Sequence, residues 1–181
     1  MNPLKLLVSF APWIVFRLVS AFPFDEPLFG TKVALVAAVA LCVYQAGSST
    51  KGVLFWGTAA FFSLSLFFVA LMSNQWVASR LGLLSQVALG SIVWCSILLR
   101  RPFTIDYAKS FVPREYWTHP LFLRRNIVIS GAWGVYFLVG IAVSLARMHF
   151  PGTSPAFLHG VDIAAMTAVI LFTSYSSRRS E

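Results

Sequence analysis

The sequence predicts an all-α polytopic membrane protein: six transmembrane helices, with a short interfacial helix between the fourth and fifth. Three observations predict it. Hydrophobic residues make up 58% of the 181 and charged residues only 11%, where a soluble domain carries about 25% charged. The apolar residues come in long runs instead of strict alternation, which favours spanning helices over a β-barrel. The basic residues fall between the runs, not along a nucleic-acid-binding motif, so the net charge of +8 reads as orientation charge and contact with anionic lipid, not nucleic acid.

The first span covers residues 4–24. Its rival, a secretory signal peptide, has only Lys5 as a basic flank and no clear small-x-small cleavage site. Pro12 removes a helical hydrogen bond and predicts a kink. Arg17 lies within snorkelling reach of the interface, beside Trp13 and ahead of Asp25 and Glu26. The second span, 29–46, carries Ala34 and Ala38 one turn apart. It is followed by a Gly/Ser/Lys turn over 47–52 that lacks phosphate-loop spacing. The third, 53–72, is rich in Phe and Trp, as packing or lipid-facing surface requires. The fourth, 77–99, holds Gln86, an amide that needs a partner in an apolar setting. The fifth, 127–148, carries the small-residue pairs Ser130/Gly134 and Gly140/Ser144. The sixth, 158–176, carries Gly160, Ala164 and Ala168 on one ridge. All six belong to a single membrane domain, 1–181.

Between the fourth and fifth spans lies the one long polar segment, 100–126. It holds Arg100, Arg101, Lys109, Arg114, Arg124 and Arg125 against Asp106 and Glu115, half of the chain's net charge. Six spans put ten of the 14 Lys and Arg residues on one side and three on the other, with Arg17 inside a span. The positive-inside rule then places both termini in the cytoplasm. Arg124 and Arg125 at a helix N-terminus oppose the helix dipole by about 0.3–1 kcal/mol each. Burying an arginine at mid-bilayer costs about 2.5–3.5 kcal/mol, so the membrane term decides. Phe103, Tyr107 and Phe111 repeat every four residues between Pro102 and Pro113, the pattern of a short amphipathic helix lying in the interface. Trp117 extends the aromatic contact. These residues form the candidate lipid or partner contact.

Catalytic, cofactor and metal motifs do not emerge, and the expectation is a non-enzyme without cofactors. His119, His149 and His159 lie outside the depth at which a haem would be held between helices. Cys42 and Cys95 read as two small buried thiols. The alternative function is a small transporter or channel component, with Arg17, Gln86, His159 and Asp162 lining an intramembrane polar path. His159 and Asp162 are i, i+3 neighbours.

The layout resembles the bacterial intracellular septation protein A family of small multi-spanning inner-membrane proteins. The resemblance rests on Ser9-Phe10-Ala11-Pro12, Arg100-Arg101-Pro102, Pro113 and Trp117 before the fifth span, Leu123 to Asn126, Ala132-Trp133 and Tyr136-Phe137. The run Arg101 to Ala108, Arg-Pro-Phe-Thr-x-Asp-Tyr-Ala, is similar to that of other, uncharacterised bacterial membrane proteins. The resemblance implies a multi-pass inner-membrane location and an envelope- or division-associated role exercised through protein partners or lipid. It brings no catalytic residues.

Overall fold

A computed structural model describes residues 8–47, 52–109, 112–150 and 152–178. Among them the chain is helical and without strands. The helices are α1 (Ala11–Val19), α2 (Pro27–Ala46), α3 (Val53–Leu66), α4 (Gln75–Leu98), α5 (Ile105–Ala108), α6 (Pro120–His149) and α7 (Pro155–Arg178). A π-helical turn, Phe67–Leu71, prolongs α3, and a 3₁₀ turn, Arg114–Tyr116, lies between α5 and α6. Five helices are long and apolar enough to cross a membrane, and a shorter apolar helix covers Ala11–Ser20. Only 17–39% of each spanning window is buried inside the protein. The exposed remainder is rich in Leu, Val, Phe and Ile, the surface a bilayer covers. The chain is an all-α, multi-pass membrane protein.

Packing divides the chain into two compact units that meet in sequence between Leu81 and Gly82, within α4. α1, α2 and α3 pack in chain order within the N-terminal unit, and α5, α6 and α7 within the C-terminal unit.

In the N-terminal unit, α2 presents Ala34, Leu35 and Ala38, all fully buried, so the alanine spacing marks a packed face. The Trp13 indole donates to Thr58 Oγ1 at 2.9 Å, and its ring lies 5.0 Å from Phe61 and 4.6 Å from Phe62. The aromatics of α3 thus include a true core cluster. Ahead of Pro12 the helical assignment is interrupted at Phe10, a turn residue between helical Val8 and Ser9 and the start of α1. Pro12 has no N–H to offer the Val8 carbonyl. Gln45 Nε2, from the end of α2, donates to that carbonyl instead, at 2.6 Å. Residues 4–7 of the expected first span lie outside the described residues.

In the C-terminal unit, α6 is 30 residues long, about 45 Å, and begins seven residues earlier than the fifth span was expected to. Pro120 occupies its first turn, where the missing N–H costs nothing. His119 caps it, its Nδ1 accepting from the Leu121 N–H at 3.3 Å. Residues 120–126 of the polar segment are therefore helix. On α6, Ser130, Gly134 and Gly140 are buried, as their small-residue spacing implies. A Cβ at Gly134 would lie 2.9–3.1 Å from the Trp94 ring, and one at Gly140 2.6–2.9 Å from the Gln86 amide, so two side chains of α4 reach over bare backbone. Trp133 donates to Thr173 Oγ1 of α7 at 3.2 Å. The Gly160, Ala164 and Ala168 ridge of α7 is exposed. Cys42 is buried and Cys95 exposed, both free. The expectation of two buried thiols holds for Cys42 alone, since Cys95 lies on an outward-facing part of α4.

Candidate membrane-surface site

The polar segment begins where α4 stops. The Arg100 N–H bonds to the Ile97 carbonyl and the Arg101 N–H to that of Ser96, both at 2.9 Å. This is the paired closure of a Schellman motif, and Arg100 takes its left-handed position with φ 54°. Glycine adopts that geometry freely, whereas a side chain there costs about 1–2 kcal/mol. Arg100→Gly is therefore expected to raise stability in detergent by about 1 kcal/mol, read from thermal melting. A fall would mean that the guanidinium contributes more than the backbone strain costs.

Pro102 follows and the chain turns back into the protein. Phe103 is 1% exposed, Thr104 0% and Tyr107 2%. The Phe103 N–H donates to Ser96 Oγ at 3.1 Å, and the Ser96 hydroxyl donates to the Val93 carbonyl at 2.7 Å. Thr104 Oγ1 sits 3.1 Å from the Asn126 carbonyl, 3.0 Å from Asn126 Oδ1 and 3.0 Å from Ser130 Oγ. Asn126 Nδ2 donates to the Phe122 carbonyl at 2.9 Å, which turns Oδ1 toward Thr104. The threonine hydroxyl has one proton for two Asn126 acceptors, and Ser130 can donate to it.

A short helix is present where one was expected, but its aromatic face is turned inward. Only Ile105–Ala108 is helical between Pro102 and Lys109. Phe103 and Tyr107 face inward, so they are not lipid contacts. Their four-residue spacing was a core signal, because a folded-back segment with one buried face has the same periodicity as an interfacial helix. Phe111 lies outside the described residues.

The remaining contact candidates stay near the surface. Arg100, Arg101, Arg114 and Arg124 are exposed, while Lys109, Trp117 and Arg125 are half-buried. The Trp117 Nε1–H donates to the Val112 carbonyl at 2.9 Å, fixing the ring. Lys109 Nζ lies 5.3 Å from the ring centroid and the Arg114 guanidinium carbon 5.7 Å. Two cations thus share one indole, and among the described residues no salt bridge ties either to Asp106 or Glu115.

Of the polar-path candidates, His159 and Asp162 come together on Arg147 within the C-terminal unit. Arg17 is exposed on α1 in the N-terminal unit. Gln86 lies over Gly140, and its Oε1 is a buried acceptor with no hydrogen-bond partner among the described residues. Arg147, two turns further along α6, joins His159 and Asp162 instead. Its Nη2 lies 3.2 Å from Asp162 Oδ2 and 3.3 Å from His159 Nδ1. With side chains 35% and 25% exposed, this ion pair fastens the start of α7 to the end of α6 and contributes about 0–1 kcal/mol. A pocket of about 280 Å³ lies elsewhere, lined by residues including Ser20, Phe24, Pro27 and Thr31.

No family model, curated protein or solved structure matches this chain. The residues that sequence reasoning missed are Ser96, Thr104, Asn126 and Ser130. One signal was available: Asn126 and Ser130 are i, i+4, hence on one helix face, beside a run of otherwise apolar core.

Proposed function

We propose that this protein is a non-enzymatic component of the bacterial cell envelope, lying in the inner membrane with both termini in the cytoplasm. It acts through the 100–126 segment by contacts with lipid or with partner proteins. The observation that carries this reading is the buried Thr104–Asn126–Ser130 network. It supports a folded surface in place of a loose loop, with Arg100, Arg101, Arg114 and Arg124 exposed around it. The distribution of basic residues supports the cytoplasmic orientation, and the resemblance to the septation proteins supports an envelope- or division-associated role. Within the C-terminal unit, Asp162 is taken up by the Arg147 ion pair while Gln86 lies over Gly140, two turns away along α6, an arrangement that argues against a continuous transport path.

The test is complementation of a deletion strain, scored by cell length and envelope integrity. Neutralising Arg101 and Arg124 together is expected to abolish complementation, while Asp162→Asn retains it. A flux through proteoliposomes that disappears in Asp162→Asn would sink the proposal. A fluorescent-protein fusion after residue 181 is expected to fluoresce, as it does only in the cytoplasm. A dark but stably expressed fusion would reverse the orientation.

A further inference from the structure

We infer that Lys109, Arg114 and Trp117 form a binding site for the phosphate of an anionic phospholipid headgroup. The inference rests on the reading of the 100–126 segment as the acting surface and gives that surface its ligand.

The indole is held in place by its bond to the Val112 carbonyl, 2.9 Å long. Lys109 Nζ and the Arg114 guanidinium lie within 6 Å of its centroid. Each gains from the negative face of the ring, and among the described residues no carboxylate bridges them. Lys109 is also held from behind. It follows the buried Tyr107 by two residues, and its N–H donates to the Ile105 carbonyl at 2.9 Å. The lysine stem therefore leaves a fixed backbone.

A phospholipid is the occupant the surroundings favour. The segment connects two membrane-spanning helices, α4 and α6, so it lies where headgroups are. Leu98 and Leu99 are 80% and 71% exposed and Leu121 66%, which gives acyl chains apolar surface at both ends of the segment. Arg100, Arg101 and Arg124 add positive field. A phosphate offers charge-assisted bonds to ammonium and guanidinium together, and the acyl chains keep it at this depth where a free anion would diffuse away.

The experiment uses the full chain in phosphatidylcholine bilayers containing trace spin-labelled lipids. It measures the association constant of phosphatidylglycerol relative to phosphatidylcholine. The wild type is expected to prefer phosphatidylglycerol, and Lys109→Gln with Arg114→Gln to lose about fivefold of that preference per charge. Arg80→Gln removes the cation stacked on Trp76, at the other end of α4, and is expected to leave the preference unchanged. An equal fall in Arg80→Gln would reduce the effect to net charge and overturn the site, as would no change in the double variant. Adding inorganic phosphate in place of chloride at equal ionic strength is expected to leave the preference intact. Its abolition would mean a free-anion site and overturn the lipid assignment. Loss of lipid preference in a double variant that still complements would confirm the site but remove it from the biological role. Failed complementation with the preference intact would overturn the site as the reason the segment matters.

Discussion

Thr104→Val is expected to destabilise the C-terminal unit by about 1–3 kcal/mol, although the two side chains have nearly the same shape. The hydroxyl is completely buried, and its loss strands Asn126 Oδ1 and removes the partner of Ser130. Asn126 cannot recover by rotating its amide, because Nδ2 is committed to the Phe122 carbonyl. The decisive comparison is a double-mutant cycle read by denaturant unfolding in detergent. Adding Asn126→Leu to Thr104→Val removes the stranded acceptor, so the double variant should be more stable than the sum of the single losses predicts. Strict additivity would show that the two side chains do not share a bond in the folded protein.

The second large effect is expected at Gly134. A methyl group there meets the Trp94 ring at 2.9–3.1 Å, closer than carbon atoms approach without displacement. The ring is rigid, so either the indole leaves its rotamer or α4 and α6 separate. Overpacking of this kind costs about 1–3 kcal/mol. Gly134→Ala should therefore lower the melting temperature, and Trp94→Leu in the same chain should recover part of the loss. Gly131 supplies the contrast, with open space where its Cβ would be. Gly131→Ala should be neutral or slightly stabilising, by up to about 1 kcal/mol from helix propensity. An equal penalty at both glycines would rule out the Trp94 contact as the cause. Gly140 is gentler, because the Gln86 amide above it is the free end of a flexible side chain.

Much of the fold was legible in the sequence. Uninterrupted apolar runs bounded by Pro27, Gly52, Asn74 and Pro155 place four of the long helices, α3 taken with its π-helical turn, within three residues of their observed ends, because length and hydropathy are local properties. The start of α6 was less legible. The charges of Arg124 and Arg125 argue against hydrocarbon but not against helix, and a helix can extend well past the bilayer edge. The site was legible as charge and illegible as packing. Phe103 and Tyr107 carry a periodicity that fits a lipid surface and a protein core equally well. What decides between them is the partner, and Thr104, Asn126 and Ser130 are separated by up to 26 residues. The Gln86 amide follows the same logic. Its need for a partner was visible, but that it lies over Gly140 with Oε1 unmet depends on side-chain placement that no local pattern encodes.

Pro12 shows how a missing donor can set vertical position. The Val8 carbonyl that it leaves open accepts from Gln45, and both groups lie on elements that pack along each other. Sliding α1 past α2 by one turn, about 5 Å, would part them, leaving the carbonyl and the amide without each other. Apolar helix surfaces slide over one another cheaply, since every register buries similar area. A lone polar pair discriminates among registers, so Pro12 and Gln45 together act as a depth stop for the first helix. Pro12→Ala would return the carbonyl to its own helix and release the stop, and the two helices would lose their unique alignment before they lost their packing.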